Sequence, residues 1–297
     1  MALTERVRRW QALGEREHFR GHGIHVYRRD GEGPLLLLLH GFPSSSYDWL
    51  PLLDELPGPA VLTCDFLGFG LSDKPRGHRY GLGFQADLVT ELVRRHGAGR
   101  PVFVVGHDMG TSVSTELMAR DLEGRPGFEL AGVLLFNGSI VLDAATLTPA
   151  QKLLRSRLGP LAARLSSRRV FDQQFGSVFS ADHPLSSDEA DDQWSLVCHN
   201  GGRTLGHELV FYLQERIEHA ERWHAAIREW RDLQLAWGMQ DPVATPNVLA
   251  ALRDLHPGLP VTELPELGHY PQIEDPARMA TVVAAAVAAR AGQVAGS

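Results

Sequence analysis

The chain has 297 residues, 43% hydrophobic and 22% charged, the make-up of a globular protein whose core needs neither metal nor disulfide staples. Its formal net charge is −7 and its arginines are scattered, which argues against a basic field for nucleic acid or an anionic membrane. The opening "MALTERVRRW" is charged, unlike a signal peptide, and no run of about 18 apolar residues occurs; Cys64 and Cys198 read as buried free thiols, so a cytoplasmic protein is expected.

In chain order, "ERVRRWQAL" has helical spacing and "GIHVYRRDG" alternates like a half-exposed strand. "GPLLLLLHG" (Gly33–Gly41) is a short apolar run closed by glycine, which predicts a central strand covered on both faces. "AVLTCDF" (Ala60–Phe66) is a second such run. The helical stretch "GFQADLVTELVRRHG" follows, then the strand "PVFVVG", the helix "TSVSTELMARDL" and the strand "LAGVLLFNGS". This alternation predicts an α/β fold with a mostly parallel central sheet and helices on both faces.

The pattern then changes. Residues 141–225 are polar and helix-like, without apolar strand runs. "LQLAWGMQDP" restores the strand pattern, "PVTELPELGHY" continues it, and an alanine-rich helix closes the chain from about Asp275, with "AARAGQVAGS" as a frayed end. The expected division is a core of residues 1–140 and 226–297, with 141–225 a helical cap over the carboxyl ends of the strands, where clefts form.

"GHDMG", Gly106–Gly110, sits between a strand and a helix with Asp108 at its apex. The spacing matches a nucleophile elbow, in which the glycines make room against the neighbouring strand and helix. An aspartate there could also simply cap the helix. Asp241 follows the strand "LQLAWGMQ", and His269 lies in "ELGHYPQ". Alone, one is a turn-forming Asp-Pro and the other a loop histidine; together they come in the order nucleophile, acid, histidine. "HGFP" (His40–Pro43) follows the first central strand, so the backbone N–H groups of Phe42 and Met109 are candidates for an oxyanion hole. Ser112 and Ser114 read as packing or surface groups. The 14 histidines show no ligand spacing with carboxylates, so no metal and no cofactor are expected.

These residues carry a family resemblance. The chain resembles the α/β-hydrolase superfamily, in the aspartate-nucleophile branch of epoxide hydrolases and haloalkane dehalogenases. "HGFPSSSYDW", "DFLGFGLSDKP", "GHDMG" and "HYPQIEDP" are similar to the mesoderm-specific-transcript group, and the likeness spans about residues 20–290. The Gly68–Gly70 loop is similar to a family loop and lacks the spacing of a nucleotide site. The resemblance implies attack by Asp108 on a substrate carbon, giving an alkyl ester. His269, held by Asp241, would then activate water to open it. A carboxylate, with a reference pKa of about 3.9, needs no base to become a nucleophile.

Within the branch, the leaving group discriminates. An epoxide leaves as a basic alkoxide and needs a proton donor, in the family a cap tyrosine; Tyr212 in "HELVFYLQER" is the cap's one tyrosine. A second donor would have to come from His183, His199 or a cap glutamine. A halide needs N–H donors, in dehalogenases a tryptophan after the nucleophile and an asparagine after "HG". Here those positions are Met109 and Phe42. The expectation is an epoxide hydrolase acting on a small apolar substrate and water, as monomer or homodimer. A dehalogenase of haloalkanes or halo acids is the alternative enzyme, and a catalytically weak binding protein the alternative of another class.

Overall fold

The computed structural model describes residues 2–295. Eight strands form one sheet: β1 (Glu15–Phe19), β2 (His22–Arg29), β3 (Glu32–Leu39), β4 (Pro59–Cys64), β5 (Val102–His107), β6 (Leu130–Phe136), β7 (Leu233–Gly238) and β8 (Val261–Leu264). Their order is β1-β2-β4-β3-β5-β6-β7-β8. β2 is antiparallel to β1 and β4, and every other pairing is parallel. The expected α/β-hydrolase architecture is met. β1 was not foreseen: "EREHF" is a largely exposed edge strand without an alternating apolar pattern.

The apolar runs become strands because both faces of the sheet are covered. Leu35, Leu37 and Leu39 point into one hydrophobic core, and Leu36 and Leu38 into the other. The same two-residue alternation divides Val102 and Val104 from Phe103 and Val105, and Val133 and Leu135 from Leu134 and Phe136. Each such fully buried side chain contributes about 1.5–3 kcal/mol.

Helices α1 (Glu5–Leu13), α2 (Leu50–Glu55), α3 (Leu82–His96) and α4 (Met109–Leu122) belong to the first half. Between β6 and β7 the regular structure is helical: α5 (Pro149–Arg155), α6 (Gly159–Leu165), α7 (Arg168–Gly176), α8 (Ser187–Cys198), α9 (Gly206–Leu209), α10 (Tyr212–Glu218) and α11 (Ala220–Glu229). The boundary drawn at residue 225 falls inside α11. "HNGGRTLGHE" forms a kinked helical turn at His199–Thr204 followed by α9. α12 (Pro246–Leu255), α13 (Pro271–Glu274) and α14 (Pro276–Ala295) complete the chain. α14 thus runs into the stretch read as frayed; residues 296–297 lie outside the described residues.

Both cysteines are free; Cys64 is buried, and Cys198 only partly so. Among the described residues no helix is long and apolar enough to cross a membrane.

Candidate active site

β5 ends at His107, α4 starts at Met109, and Asp108 alone makes the turn between them, with φ 43° and ψ −108°. That backbone is strained for a residue with a side chain. Two glycines permit the turn. A Cβ on Gly110 would lie 2.1 Å from the Leu39 carbonyl oxygen of β3, and one on Gly106 would lie 2.4 Å from Ser114 Oγ of α4. Gly41 is equally constrained, because its Cβ would meet Asp108 Cβ at 2.7 Å.

The Asp108 carboxylate is buried, and its two oxygens are used differently. Oδ2 accepts the Phe42 N–H at 2.7 Å. Oδ1 forms no hydrogen bond among the described residues. The Met109 N–H stands in the first turn of α4, where amides have no partner within the helix. The Phe42–Pro43 peptide is cis.

His269 is held at three points. Its Nδ1–H donates to Asp241 Oδ2 at 2.6 Å. Its backbone N–H donates to the Val178 carbonyl of the helical insertion at 2.9 Å. Its carbonyl accepts from His107 Nε2 at 2.7 Å. That last bond fixes the His107 tautomer, since a carbonyl can only accept, and Gln272 Nε2 donates to the free Nδ1 at 3.2 Å. Burial pushes the His107 pKa well below the usual value, so it stays a neutral strut. For His269, burial also pulls downward, but the Asp241 carboxylate outweighs it and the net shift is upward.

Asp241 is fully engaged. Oδ1 accepts the N–H groups of Val243 and Ala244 at 2.7 and 3.0 Å, and Asn137 Nδ2 donates to Oδ2 at 2.8 Å. Asn137 follows β6 and has a positive φ of 48°. It is not among the site residues expected from the sequence, and the structure makes it the clamp on Asp241.

Asp108 and His269 line a cavity of about 90 Å³ together with Phe42, Gln151, Phe175 and Tyr270. Tyr212 does not line it. Its hydroxyl lies behind Gln151, whose Nε2 donates to it at 3.2 Å. Gln151 has no freedom to turn its amide around. Its Oε1 accepts the Thr148 N–H at 2.9 Å in a capping box that starts α5, so Nε2 must face Tyr212. Burial raises the Tyr212 pKa and the Asp108 carboxylate adds to the rise, so the phenol stays protonated. Of the second donors considered, His183 and His199 do not line the cavity, whereas two glutamines of the insertion, Gln151 and Gln174, do. Tyr270, which lies outside the insertion and adjoins His269 in the chain, does line it, and its hydroxyl donates to the Phe42 carbonyl at 3.4 Å. The apolar side chains of the insertion do two jobs: Phe171, Phe175, Val178, Phe179 and Trp194 cluster with Tyr270 and Val243, and Phe171, Phe175 and Val178 also face the cavity.

Arg216 on α10 was missed altogether. It is buried, its Nε donates to Ser112 Oγ at 2.8 Å, and its Nη2 donates to the Asp108 carbonyl at 3.1 Å. Ser112 is therefore neither surface nor simple packing. Ser114 is also buried and donates to the Gly110 carbonyl at 2.8 Å. The Arg216 guanidinium lies 4.8 Å from the centre of the Tyr212 ring, four residues earlier on the same face of α10.

A model of the alpha/beta hydrolase fold matches residues 34–276. "Putative hydrolase LipZ" of Mycobacterium tuberculosis is 56% identical over 254 residues, 84% of this chain and 88% of that protein. The human mesoderm-specific transcript homolog protein is 33% identical over 288 residues, covering 92% of this chain and 85% of its own length. Among solved structures, haloalkane dehalogenase DbeA from Bradyrhizobium elkani superposes with a TM-score of 0.78 at 20% identity, covering 94% of this chain and 99% of that one.

Proposed function

The chain belongs to the alpha/beta hydrolase family, and from that premise we propose that it hydrolyses small apolar epoxides to vicinal diols through an ester on Asp108. The observation that carries this reading is the carboxylate at the elbow. Its Oδ2 rests on the Phe42 N–H while Oδ1 forms no hydrogen bond among the described residues, and Gln151, which lines the same cavity, is hydrogen-bonded to the Tyr212 phenol.

In the first step Asp108 Oδ1 attacks an epoxide carbon. The C–O bond of the ring breaks, and the alkoxide takes the phenolic proton of Tyr212, a step that requires Gln151 to shift, since Tyr212 does not line the cavity. The Gln151 N–H that already donates to Tyr212 Oη stabilises the resulting phenolate. In the second step His269 removes a proton from water, and the hydroxide attacks the ester carbonyl of Asp108. The amides of Phe42 and Met109 hold the tetrahedral oxyanion. Collapse restores the carboxylate; one water proton leaves on the diol and the other returns to Tyr212. Asp241 orients His269 and stabilises its protonated form. In this reading residues 141–225 act as a cap that brings the proton donor and excludes water from the first step.

The test is the intact mass of His269→Gln after incubation with aryl epoxides and, separately, terminal alkyl halides. A gain of the whole epoxide mass, mapped to Asp108, supports the proposal. A gain of the alkyl group with loss of halide would replace it with dehalogenation. Absence of any adduct, with inactive wild type, would return the chain to the class of binding proteins.

A further inference from the structure

Apolar surface left uncovered by the core is concentrated in one place. Leu153, Leu158, Leu161, Leu165 and Val170 are 42–70% exposed and all fall on α5–α7 and the turns between them; only Leu13, Leu122 and Ile217 are comparable elsewhere among the described residues. Leu158, Leu161 and Leu165 are spaced three and four apart, so they form one stripe along α6.

The same stretch is basic. Between Asp143 and Asp172 the chain carries Lys152, Arg155, Arg157, Arg164, Arg168 and Arg169 and no acidic residue, in a protein of net charge −7. Arg168 is neutralised by Asp172 and Asp191. The other five are exposed and form no ion pair among the described residues. The arginines are therefore not scattered where it matters: averaging charge over the chain conceals a cationic, leucine-rich surface.

A second cavity connects this surface to the site. It has a volume of about 350 Å³ and is bordered by Leu153, Leu165 and Val170. It shares Phe42, Pro43 and Phe171 with the cavity that holds Asp108 and His269. Three of the exposed apolar residues thus border a cavity that adjoins the one at Asp108, while Leu158 and Leu161 lie beside it on the surface.

Exposed leucines among unpaired cations complement an anionic lipid surface: acyl chains take the leucines and headgroups the guanidinium groups. We propose that the α5–α7 face docks on anionic lipid bilayers, so that the cavity opens onto the lipid and draws apolar substrate from it. Docking itself does not depend on ester chemistry at Asp108.

The experiment floats the full chain with vesicles of phosphatidylcholine alone or with phosphatidylserine added. Binding to the anionic vesicles is expected to exceed binding to neutral ones by about tenfold or more at about 0.1 M salt, and to be lost near about 1 M. Leu158→Ser with Leu161→Ser, and separately Arg155→Gln with Arg157→Gln and Arg164→Gln, should each lower binding about tenfold or more. The control Leu13→Ser with Leu122→Ser should not. All these positions are exposed, and thermal unfolding checks that each variant folds. Turnover of a water-soluble substrate should be unchanged, so vesicle binding and ester chemistry fail separately. Wild type that stays in the buffer, or binding that survives both sets of substitutions, overturns docking. So does a lipid-free dimer that the leucine substitutions disperse, because a second copy would then cover the stripe.

Discussion

Arg216 Nη2 lies 3.8 Å from Asp108 Oδ1, and both side chains are almost completely buried. The guanidinium binds the Asp108 carbonyl rather than the carboxylate, so it holds the apex by its backbone while leaving Oδ1 without a hydrogen bond. A cation at that distance also steadies the carboxylate in a site poor in water. Arg216 is thus a positioning residue, contributed by the insertion to an elbow made by the core.

Arg216→Met should destabilise the fold by about 3 kcal/mol, since it leaves Ser112 Oγ, the Asp108 carbonyl and a buried carboxylate without their partner. Urea unfolding checks this. Arg216→Lys keeps the charge and should recover part of the stability but little of the ester-forming rate, because one ammonium cannot span both acceptors. Equal rescue of both would mean that charge alone matters.

Asp241→Asn should slow ester hydrolysis about 10⁴-fold while leaving ester formation nearly intact. Wild-type hydrolysis needs neutral His269, so its rate should rise with pH and level off above a pKa higher than the usual histidine value of about 6.5. Without the Asp241 carboxylate, burial is opposed only by the weaker charges of Glu274 and, before it is esterified, Asp108, so the midpoint should fall. The linkage has the opposite sense for stability. The His269–Asp241 pair contributes fully below the ordinary histidine pKa and loses its contribution as pH rises through the raised one. Single-turnover rates and melting temperatures across pH read the two effects separately.

Tyr212→Phe should slow epoxide opening about 10²-fold or more and leave displacement of a halide little changed. Tyr270→Phe removes the phenol that does line the cavity, whose hydroxyl makes a long bond to the Phe42 carbonyl, and should cost less. Burst kinetics on both substrate panels rank the two, and a larger loss at Tyr270 would transfer the donor role to it.

Two glycine substitutions should act in opposite directions. Gly110→Ala forces a Cβ to 2.1 Å from a backbone oxygen of β3 and should cost about 3 kcal/mol. Gly83→Ala, on α3 with nothing within 4 Å of the new Cβ, should gain about 0.5–1 kcal/mol. Thermal melts of the two variants decide.

The sequence was most informative where burial is two-sided. Runs such as Leu35–Leu39 and Val102–Val105 admit little but central strands, and the glycines beside Asp108 announced the sharp turn. It was least informative where one residue's meaning depends on distant packing. "YLQERIE" looks like an ordinary solvated helix, and only the four-residue spacing of Tyr212 and Arg216 hinted at a shared inward face. Gln151 was visible only as half of a capping box. Tyr270 was passed over because donors were sought in the insertion, although it adjoins His269 in the chain. The cations of 152–169 read as scattered because no two are adjacent until Arg168, and only the absence of acidic residues between Asp143 and Asp172 sets the stretch apart.

β6 and β7 are parallel neighbours, Val133 opposite Leu233 and Phe136 opposite Ala236, so the chain leaves β6 at the carboxyl edge of the sheet and α11 returns it to the opposite edge before β7 begins. A segment exchanged ahead of α11 leaves that return path untouched: during evolution a different insertion can be spliced in without re-threading the core. Substrate range could then change as a unit while Asp108, Asp241 and His269 stay in place. The Arg216 bridge limits that freedom, because any incoming segment inherits the duty of supplying a donor to the Asp108 carbonyl. A chimera that respects this requirement should fold where one that ignores it does not.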